Sequence, residues 1–277
     1  MDMPHTSTAM LRLDTSLLRL EPYPHLISDE MLEPGAFEAL RKAFPDTSIF
    51  EANRRHTLAA GRASRINLGR GDPLFDRFLS ECPVWRAFFE EMNSPAFIAR
   101  VYELFGDALA THQSRLHAQP YQFYEHVTRP PTNLAYRALN RLGAIEAFDR
   151  LRAAFDSNKL CLDFDIAWAR NGYATEAHTD NRNKLIAMLI YFGETGGSGG
   201  EFQVLKLKHP QPLSQCRRYP SDAELDVVTT LAAKPNRGLI LLNCNNAYHA
   251  VTPLVGSDRP RQFMYLSVGS RYKAPIW

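Results

Sequence analysis

The chain has 277 residues, of which 45% are hydrophobic and 22% charged, and its formal net charge at pH 7 is +2. This composition is that of an ordinary soluble globular protein with enough chain to bury a large core. The small net charge gives no reason to expect nucleic acid or an anionic membrane as a partner, and no apolar run approaches the ~20 residues that span a bilayer. Residues 1–9 lack an apolar stretch, so we expect no secretion signal.

The four cysteines are spread along the chain, at Cys82, Cys161, Cys216 and Cys244. They show neither C-x-x-C pairing nor the spacing of a zinc site. Four separate thiols are typical of a reducing compartment, and we therefore expect a cytoplasmic protein.

The first half of the chain carries helix signals. Pro34 begins a short amphipathic segment that ends before Pro45, and Asp72-Pro73 and Ser94-Pro95 each place a capping residue ahead of a proline. This order is typical of helix starts. Apolar residues at three- and four-residue steps predict a further helix over 134–155.

Between these segments, residues 47–71 are polar and rich in arginine. We interpret them as a solvated loop. The alternative is that one of the arginines grips an anionic group of a substrate. The candidates are Arg54, Arg55, Arg62, Arg65 and Arg70.

At Leu160 the hydrophobic period changes from helical to alternating, which predicts strands. The predicted strands are 160–168, 184–192, 200–208, 226–231, 238–242, 248–251 and 262–268. Because no helix-length pattern separates them, we expect an antiparallel sandwich or barrel. The chain is thus predicted to be one domain, residues 1–277. In it, a mainly helical support and pocket wall (1–157) packs around a β core (158–277) that carries the site.

His178 and Asp180 are two positions apart, so on an extended backbone both side chains leave from the same face. His249 supplies a third group of matching type far downstream. Two imidazoles and one carboxylate leave coordination positions open, as in non-haem Fe(II) oxygenases. A second set of histidines, His56, His112, His117 and His126, has no carboxylate at ligand spacing, and we interpret it as surface or pocket-wall histidines.

The order of features over residues 158–270 resembles the Fe(II)/2-oxoglutarate-dependent dioxygenases, and most closely their prolyl-4-hydroxylase-like branch. After the His178-Thr179-Asp180 segment come an apolar strand ending at Tyr191, the turn Gly199-Gly200-Glu201-Phe202, the segment Asn236-Arg237-Gly238, His249 and finally Arg261 before an alternating strand. The resemblance implies a mainly β fold with α, that is, a double-stranded β-helix (jelly-roll) core with N-terminal helices packed around it.

The resemblance also implies roles. His178, Asp180 and His249 would bind Fe(II) and form the catalytic centre, and Arg261 would bind the distal carboxylate of 2-oxoglutarate, with Arg259 as its competitor. Tyr191 either donates to the same carboxylate or is a core aromatic residue. Trp168 stands where some relatives have a tyrosine lining the pocket. The segment Cys216 to Tyr219 is either a lid over the barrel mouth or an exposed loop.

The implied activity is that of an enzyme, a dioxygenase that consumes O2 and 2-oxoglutarate, releases succinate and CO2, and hydroxylates an unactivated C–H bond, helped by ascorbate. The presence of Asp180 disfavours halogenation, whereas desaturation and cyclisation use the same ligands. A compact chain favours a small-molecule substrate, such as an amino acid or a natural-product intermediate. The alternatives are a protein (prolyl-type) hydroxylase and a non-catalytic jelly-roll protein that binds metal or acts as a sensor.

Overall fold

The computed structural model describes residues 9–50, 64–117, 121–123, 158–193, 196–270 and 274–277. The predicted helix over 134–155 lies outside these ranges, as do Arg54, Arg55, Arg62, His56 and His126.

Four helices are described, and each begins with a proline. They are α1 (Pro34–Lys42), α2 (Pro73–Glu81), α3 (Pro83–Met92) and α4 (Pro95–Thr111). The side chains of Asp72 and Ser94 accept the backbone N–H groups of Leu74 and Phe97, so both predicted caps are confirmed. The start of α3 was not predicted, because its N-cap position holds Cys82 rather than one of the usual capping residues.

Twelve strands are described, in agreement with every strand predicted from Leu160 onward. They are β1 (Leu18–Arg19), β2 (His25–Ser28), β3 (Arg65–Gly69), β4 (Gln122–Phe123), β5 (Lys159–Ala169), β6 (Thr175–His178), β7 (Lys184–Tyr191), β8 (Phe202–Leu207), β9 (Leu225–Leu231), β10 (Gly238–Leu242), β11 (His249–Val251) and β12 (Arg261–Ser270). Short 3-10 helices lie at Thr15–Leu17, Thr47–Phe50, Arg115–His117, Leu213–Gln215 and Asp222–Glu224.

The strands form two sheets. The larger has the order β1-β2-β10-β7-β12-β5-β3, with β4 beside β5, and the smaller has the order β6-β11-β8-β9. From β5 to β12 the chain crosses repeatedly between the sheets and places four strands in each, and these strands pair antiparallel. Eight strands in two such sheets form a jelly roll. The predicted fold is therefore confirmed, with two separate sheets rather than a closed barrel.

The part of the chain before residue 158 contributes strands as well as helices. β2 extends the larger sheet beside β10, and β3 extends it beside β5. The prediction of a solvated loop over 47–71 is wrong at β3, where Ile66 and Leu68 are buried. The segment alternates between polar and apolar residues from Arg65 to Leu68, so a short strand signal was available in the sequence.

The larger sheet divides its side chains between two environments, because successive residues of a strand point to opposite faces. On β5, Phe164, Ile166 and Trp168 pack against the helices in the main core. Ala167 and Ala169 belong to a separate cluster with Tyr191 and Phe263 on the other face. One set of strands therefore builds both the core and the wall of a site between the sheets.

Candidate active site

The three residues predicted to bind metal lie together at the edge of the smaller sheet. His178 ends β6 and pairs in register with His249, the first residue of β11, and Asp180 follows two residues after His178. One donor atom from each residue lies within 4.8 Å of the other two, and in the described residues no second group of this kind occurs. His178 Nε2 is 4.0 Å from Asp180 Oδ1, and the two imidazole centroids are 4.5 Å apart.

Backbone carbonyl groups orient both imidazoles. His178 Nδ1 lies 2.8 Å from the carbonyl oxygen of Glu176, and His249 Nδ1 lies 3.0 Å from that of Ala247. A carbonyl only accepts, so each Nδ1 is the donor in this contact, which leaves Nε2 as the atom available to a metal. Burial lowers the pKa of His249 to about 4, against the opposing effect of Asp180. The imidazole is therefore neutral at pH 7, which is the form that binds metal.

Both oxygens of Asp180 are held by neighbouring side chains. Lys184 Nζ donates to Oδ1 at 3.1 Å and to the Tyr265 hydroxyl oxygen at 2.7 Å, and that hydroxyl donates to Oδ2 at 3.2 Å. Burial acts to raise the pKa of Asp180, but the positive charge of Lys184 and the two imidazoles lower it overall. Asp180 is therefore an oriented carboxylate.

Lys184 and Tyr265 were not predicted to contact the site. Tyr265 shares strand parity with Arg261 and Phe263, a signal that was available. The face of the sheet on which the Lys184 side chain lies depends on an irregularity in the pairing of β7 with β12. There the pairing moves from Ile186 with Val268 to Lys184 with Gly269. Such a shift turns a side chain to the other face, and no local pattern shows it.

The insertion over residues 210–224 contacts the loop that carries the two ligands. The Thr179 N–H donates to the carbonyl oxygen of Arg218 at 3.0 Å, and Arg218 Nε donates back to the Thr179 carbonyl oxygen at 3.1 Å. The Tyr219 ring lies 6.1 Å from that of His178 and is 58% exposed. These contacts hold the residue between His178 and Asp180 from outside the sheet.

A cavity of about 430 Å3 lies between the sheets and is lined by the His178, Asp180 and His249 cluster together with Arg261 and Tyr191. This volume is in the range of small-molecule sites. The predicted ligands, arginine and tyrosine therefore share one cavity.

Arg261 is 2% exposed and donates through Nη1 to the carbonyl oxygen of Gly200. Its Nε and the Tyr191 hydroxyl are both buried without a hydrogen-bond partner in the described residues. Burial raises the pKa of Tyr191 to about 12, so its hydroxyl is a donor at neutral pH. The Arg261 guanidinium lies 5.5 Å from the Tyr191 ring centroid. Unsatisfied buried donors cost about 1–3 kcal/mol each, so this end of the cavity favours an acceptor such as a carboxylate.

Arg259 and Trp168 lie outside the cavity. The side chain of Arg259 is 83% exposed and lies beside Asp258 at 3.9 Å, so of the two arginines considered it is Arg261 that lines the cavity. Trp168 lies on the helical face of β5 with its ring 5.6 Å from that of Phe44. Strand parity turns the indole into the core, so Trp168 packs there and does not line the cavity.

No family model matches the chain, and no curated protein matches it. Solved structures that it is similar to include prolyl 4-hydroxylases from Phytophthora capsici, 16% identical with a TM-score of 0.43 over 89% of this chain and 59% of that one. A prolyl hydroxylase from Trichoplax adhaerens in complex with a hypoxia inducible factor peptide is 11% identical, with a TM-score of 0.39 over 90% and 85% of the chains. An Fe(II)/(alpha)ketoglutarate-dependent dioxygenase is 11% identical, with a TM-score of 0.39 over 86% and 90%.

The chain thus spans about three fifths of the Phytophthora structure. Among the helices described, none is long and apolar enough to cross a bilayer.

Proposed function

We propose that this protein is an Fe(II)- and 2-oxoglutarate-dependent oxygenase that hydroxylates an unactivated C–H bond of a small molecule. One observation carries the proposal. Two imidazoles and an oriented carboxylate share a cavity with a buried arginine and tyrosine whose donors lack partners in the described residues.

The donor set fits Fe(II). His178 and His249 would each offer Nε2, and Asp180 a carboxylate oxygen, which is the two-histidine, one-carboxylate set of non-haem iron sites with open positions. When bound, iron and 2-oxoglutarate supply the oxidising chemistry, in which O2 reduction and decarboxylation to succinate and CO2 are coupled to hydroxylation. The protein holds Asp180 in place through Lys184 and Tyr265, so the carboxylate is oriented before the ion arrives.

Arg261 and Tyr191 would bind the distal carboxylate of 2-oxoglutarate. Arg261 Nε and the Tyr191 hydroxyl both donate, and a carboxylate accepts from both at once. Leu189, Leu239 and Leu241 line the cavity. Their apolar surface would exclude water from the bound co-substrate.

The size of the cavity supports a small-molecule substrate. About 430 Å3 is near the lower end of the 300–1,000 Å3 typical of small-molecule sites, and 2-oxoglutarate would take part of it. The alternative of a peptidyl prolyl substrate requires a peptide to reach the cavity from outside. Turnover of proline-containing peptides, with no response to small molecules, would favour that alternative.

The test is succinate formation from 2-oxoglutarate with Fe(II), O2 and ascorbate, against pools of metabolites and of proline-containing peptides. We expect wild-type protein to form succinate and Asp180→Ala to form none. Arg261→Met should raise the KM for 2-oxoglutarate by about 10- to 100-fold, since a hydrogen bond to a charged group contributes about 1.5–3 kcal/mol. The matched control Arg259→Met, at the exposed arginine, should leave the KM unchanged.

Two outcomes contradict the proposal. Equal activity in wild type and Asp180→Ala would remove the metal site from the reaction. Iron-loaded wild type that binds 2-oxoglutarate but forms no succinate with any pool would point instead to a non-catalytic binding protein.

A further inference from the structure

Three cationic side chains line the cavity within the described residues, namely Arg65, Lys184 and Arg261. Lys184 is committed to Asp180 and Tyr265. Arg261 is buried and tied to Gly200. The side chain of Arg65 is 28% exposed, so it is the cation nearest to the solvent side of the cavity.

The guanidinium of Arg65 is held in place but keeps donors unused. Its Nε donates to Asn67 Oδ1 at 2.7 Å, and its Cζ lies 5.1 Å from the Phe263 ring centroid and 5.6 Å from that of Tyr265. Nη2 forms an ion pair with Asp165 Oδ2 at 3.8 Å, a separation beyond hydrogen-bond length. Within the residues described, neither Nη atom has a hydrogen-bond acceptor. A fixed guanidinium with two unused Nη donors suits the fork geometry of a carboxylate.

The register of the larger sheet separates this arginine from Arg261. Both residues pair with Ala169 of β5, one from β3 and the other from β12. Their backbones are therefore two strand spacings apart, on the order of 10 Å. Phe263 lies between the two guanidinium groups, at 5.1 Å from Arg65 and 5.6 Å from Arg261. Ala167 and Ala169 of the intervening strand are buried in one cluster with Phe263.

We infer that Arg65 binds a carboxylate of the primary substrate, so that the substrate class is a small organic acid, amino acids included. The inference rests on the proposed function, in which Arg261 already takes the carboxylate of 2-oxoglutarate. Arg65 then selects a substrate whose carboxylate lies on the β3 side of the cavity. The His178, Asp180 and His249 cluster faces the same cavity, where Asp180 contacts Tyr265, two residues from Phe263 on β12.

The test uses Fe(II)-loaded protein saturated with 2-oxoglutarate under nitrogen. The free L-amino acids and a set of short monocarboxylic acids are titrated calorimetrically, each paired with its own carboxamide. We expect acids that bind to do so at least about 10-fold more tightly than their amides, because a charge-assisted contact is lost in the amide. In Arg65→Met the same acids should weaken by about the same factor and bind no better than the amides.

Controls separate this role from a structural one. Arg65→Met should keep the wild-type affinity for 2-oxoglutarate and a cooperative thermal unfolding transition, and Arg259→Met should match wild type in every titration. Arg65→Lys keeps the charge and the apolar stem but loses the planar fork. It should recover part of the affinity for the acids, which a purely structural loss would not allow.

Several outcomes would overturn the inference. One is that the acids and their amides bind with equal affinity. Another is that no acid binds to protein that does bind 2-oxoglutarate. A third is that Arg65→Met loses affinity for 2-oxoglutarate rather than for the acids. A different result would contradict the proposed function itself, namely that Fe(II)-loaded wild-type protein does not bind 2-oxoglutarate at all.

Discussion

Replacing Gly200 by alanine tests whether the position of Arg261 depends on a missing side chain. Gly200 has a φ of +72°, and its carbonyl oxygen accepts from Arg261 Nη1. A Cβ at this position would lie 2.7 Å from Arg261 Nη1 and 3.3 Å from Leu254 Cδ1. Non-bonded carbon and nitrogen atoms do not approach to 2.7 Å, so the guanidinium would have to move by several tenths of an ångström.

Gly256 provides a matched control. Its φ is +68°, and its Cβ would meet nothing within 4 Å. The left-handed conformation costs an L-residue about 1–2 kcal/mol at either position. At about 2–4 °C per kcal/mol for a chain of this size, both variants should lose about 2–8 °C in Tm. The backbone strain is therefore common to both variants, and the difference between them reports the contact of the new Cβ with Arg261.

The two variants should differ in their affinity for 2-oxoglutarate. A displaced Arg261 loses most of a contact that contributes about 1.5–3 kcal/mol, so the Kd of Gly200→Ala should rise about 10- to 100-fold. The Kd of Gly256→Ala should stay at the wild-type value. Calorimetric titration of Fe(II)-loaded protein under nitrogen measures the Kd, and a thermal melt measures the Tm. Wild-type affinity in a folded Gly200→Ala protein would refute the reasoning that Arg261 must be held there to bind the co-substrate.

Three further predictions concern neighbouring groups. Tyr265→Phe removes the hydroxyl that donates to Asp180 and should lower metal affinity by about 10- to 100-fold in a chelator competition; unchanged affinity would show that Asp180 needs no such support. Tyr191→Phe removes a buried hydroxyl without a partner in the described residues, so urea unfolding should show equal or up to about 1 kcal/mol greater stability, while calorimetry shows weaker 2-oxoglutarate binding. A marked loss of stability would reveal a partner for that hydroxyl. Hydrogen bonds from Arg237 and Lys234 lower the pKa of Asp29 from its usual 3.8 to about 2, so its contribution is present above pH 4 and lost as the pH falls from 4 through 2. Because the Asp29 side chain is 46% exposed, solvent screening limits the effect to about 1 kcal/mol; urea unfolding of Asp29→Asn should approach wild type near pH 2, and a difference independent of pH would count against this account.

The sequence determined the features that depend on local spacing. The alternating strands from Leu160 onward, the proline-led helix starts at Pro73 and Pro95, and the two-residue spacing of His178 and Asp180 follow from residues a few positions apart. The link from these two residues to His249 and Arg261 came from the order of features that resembles a known family. A strand exposes side chains with period two and a helix cap uses the next three residues, so these signals are written in the chain itself.

Only the tertiary structure decided which of these features meet. The sheet register places His178 opposite His249, and Arg65 and Arg261 opposite the same Ala169. The register shift at Lys184 turns its ammonium to Asp180, and the same strand parity that exposes Phe263 to the cavity hides Trp168 in the core. Strand pairing and burial depend on hydrogen bonds and packing between distant segments, and a local pattern carries no information about the partner strand that a given face will meet.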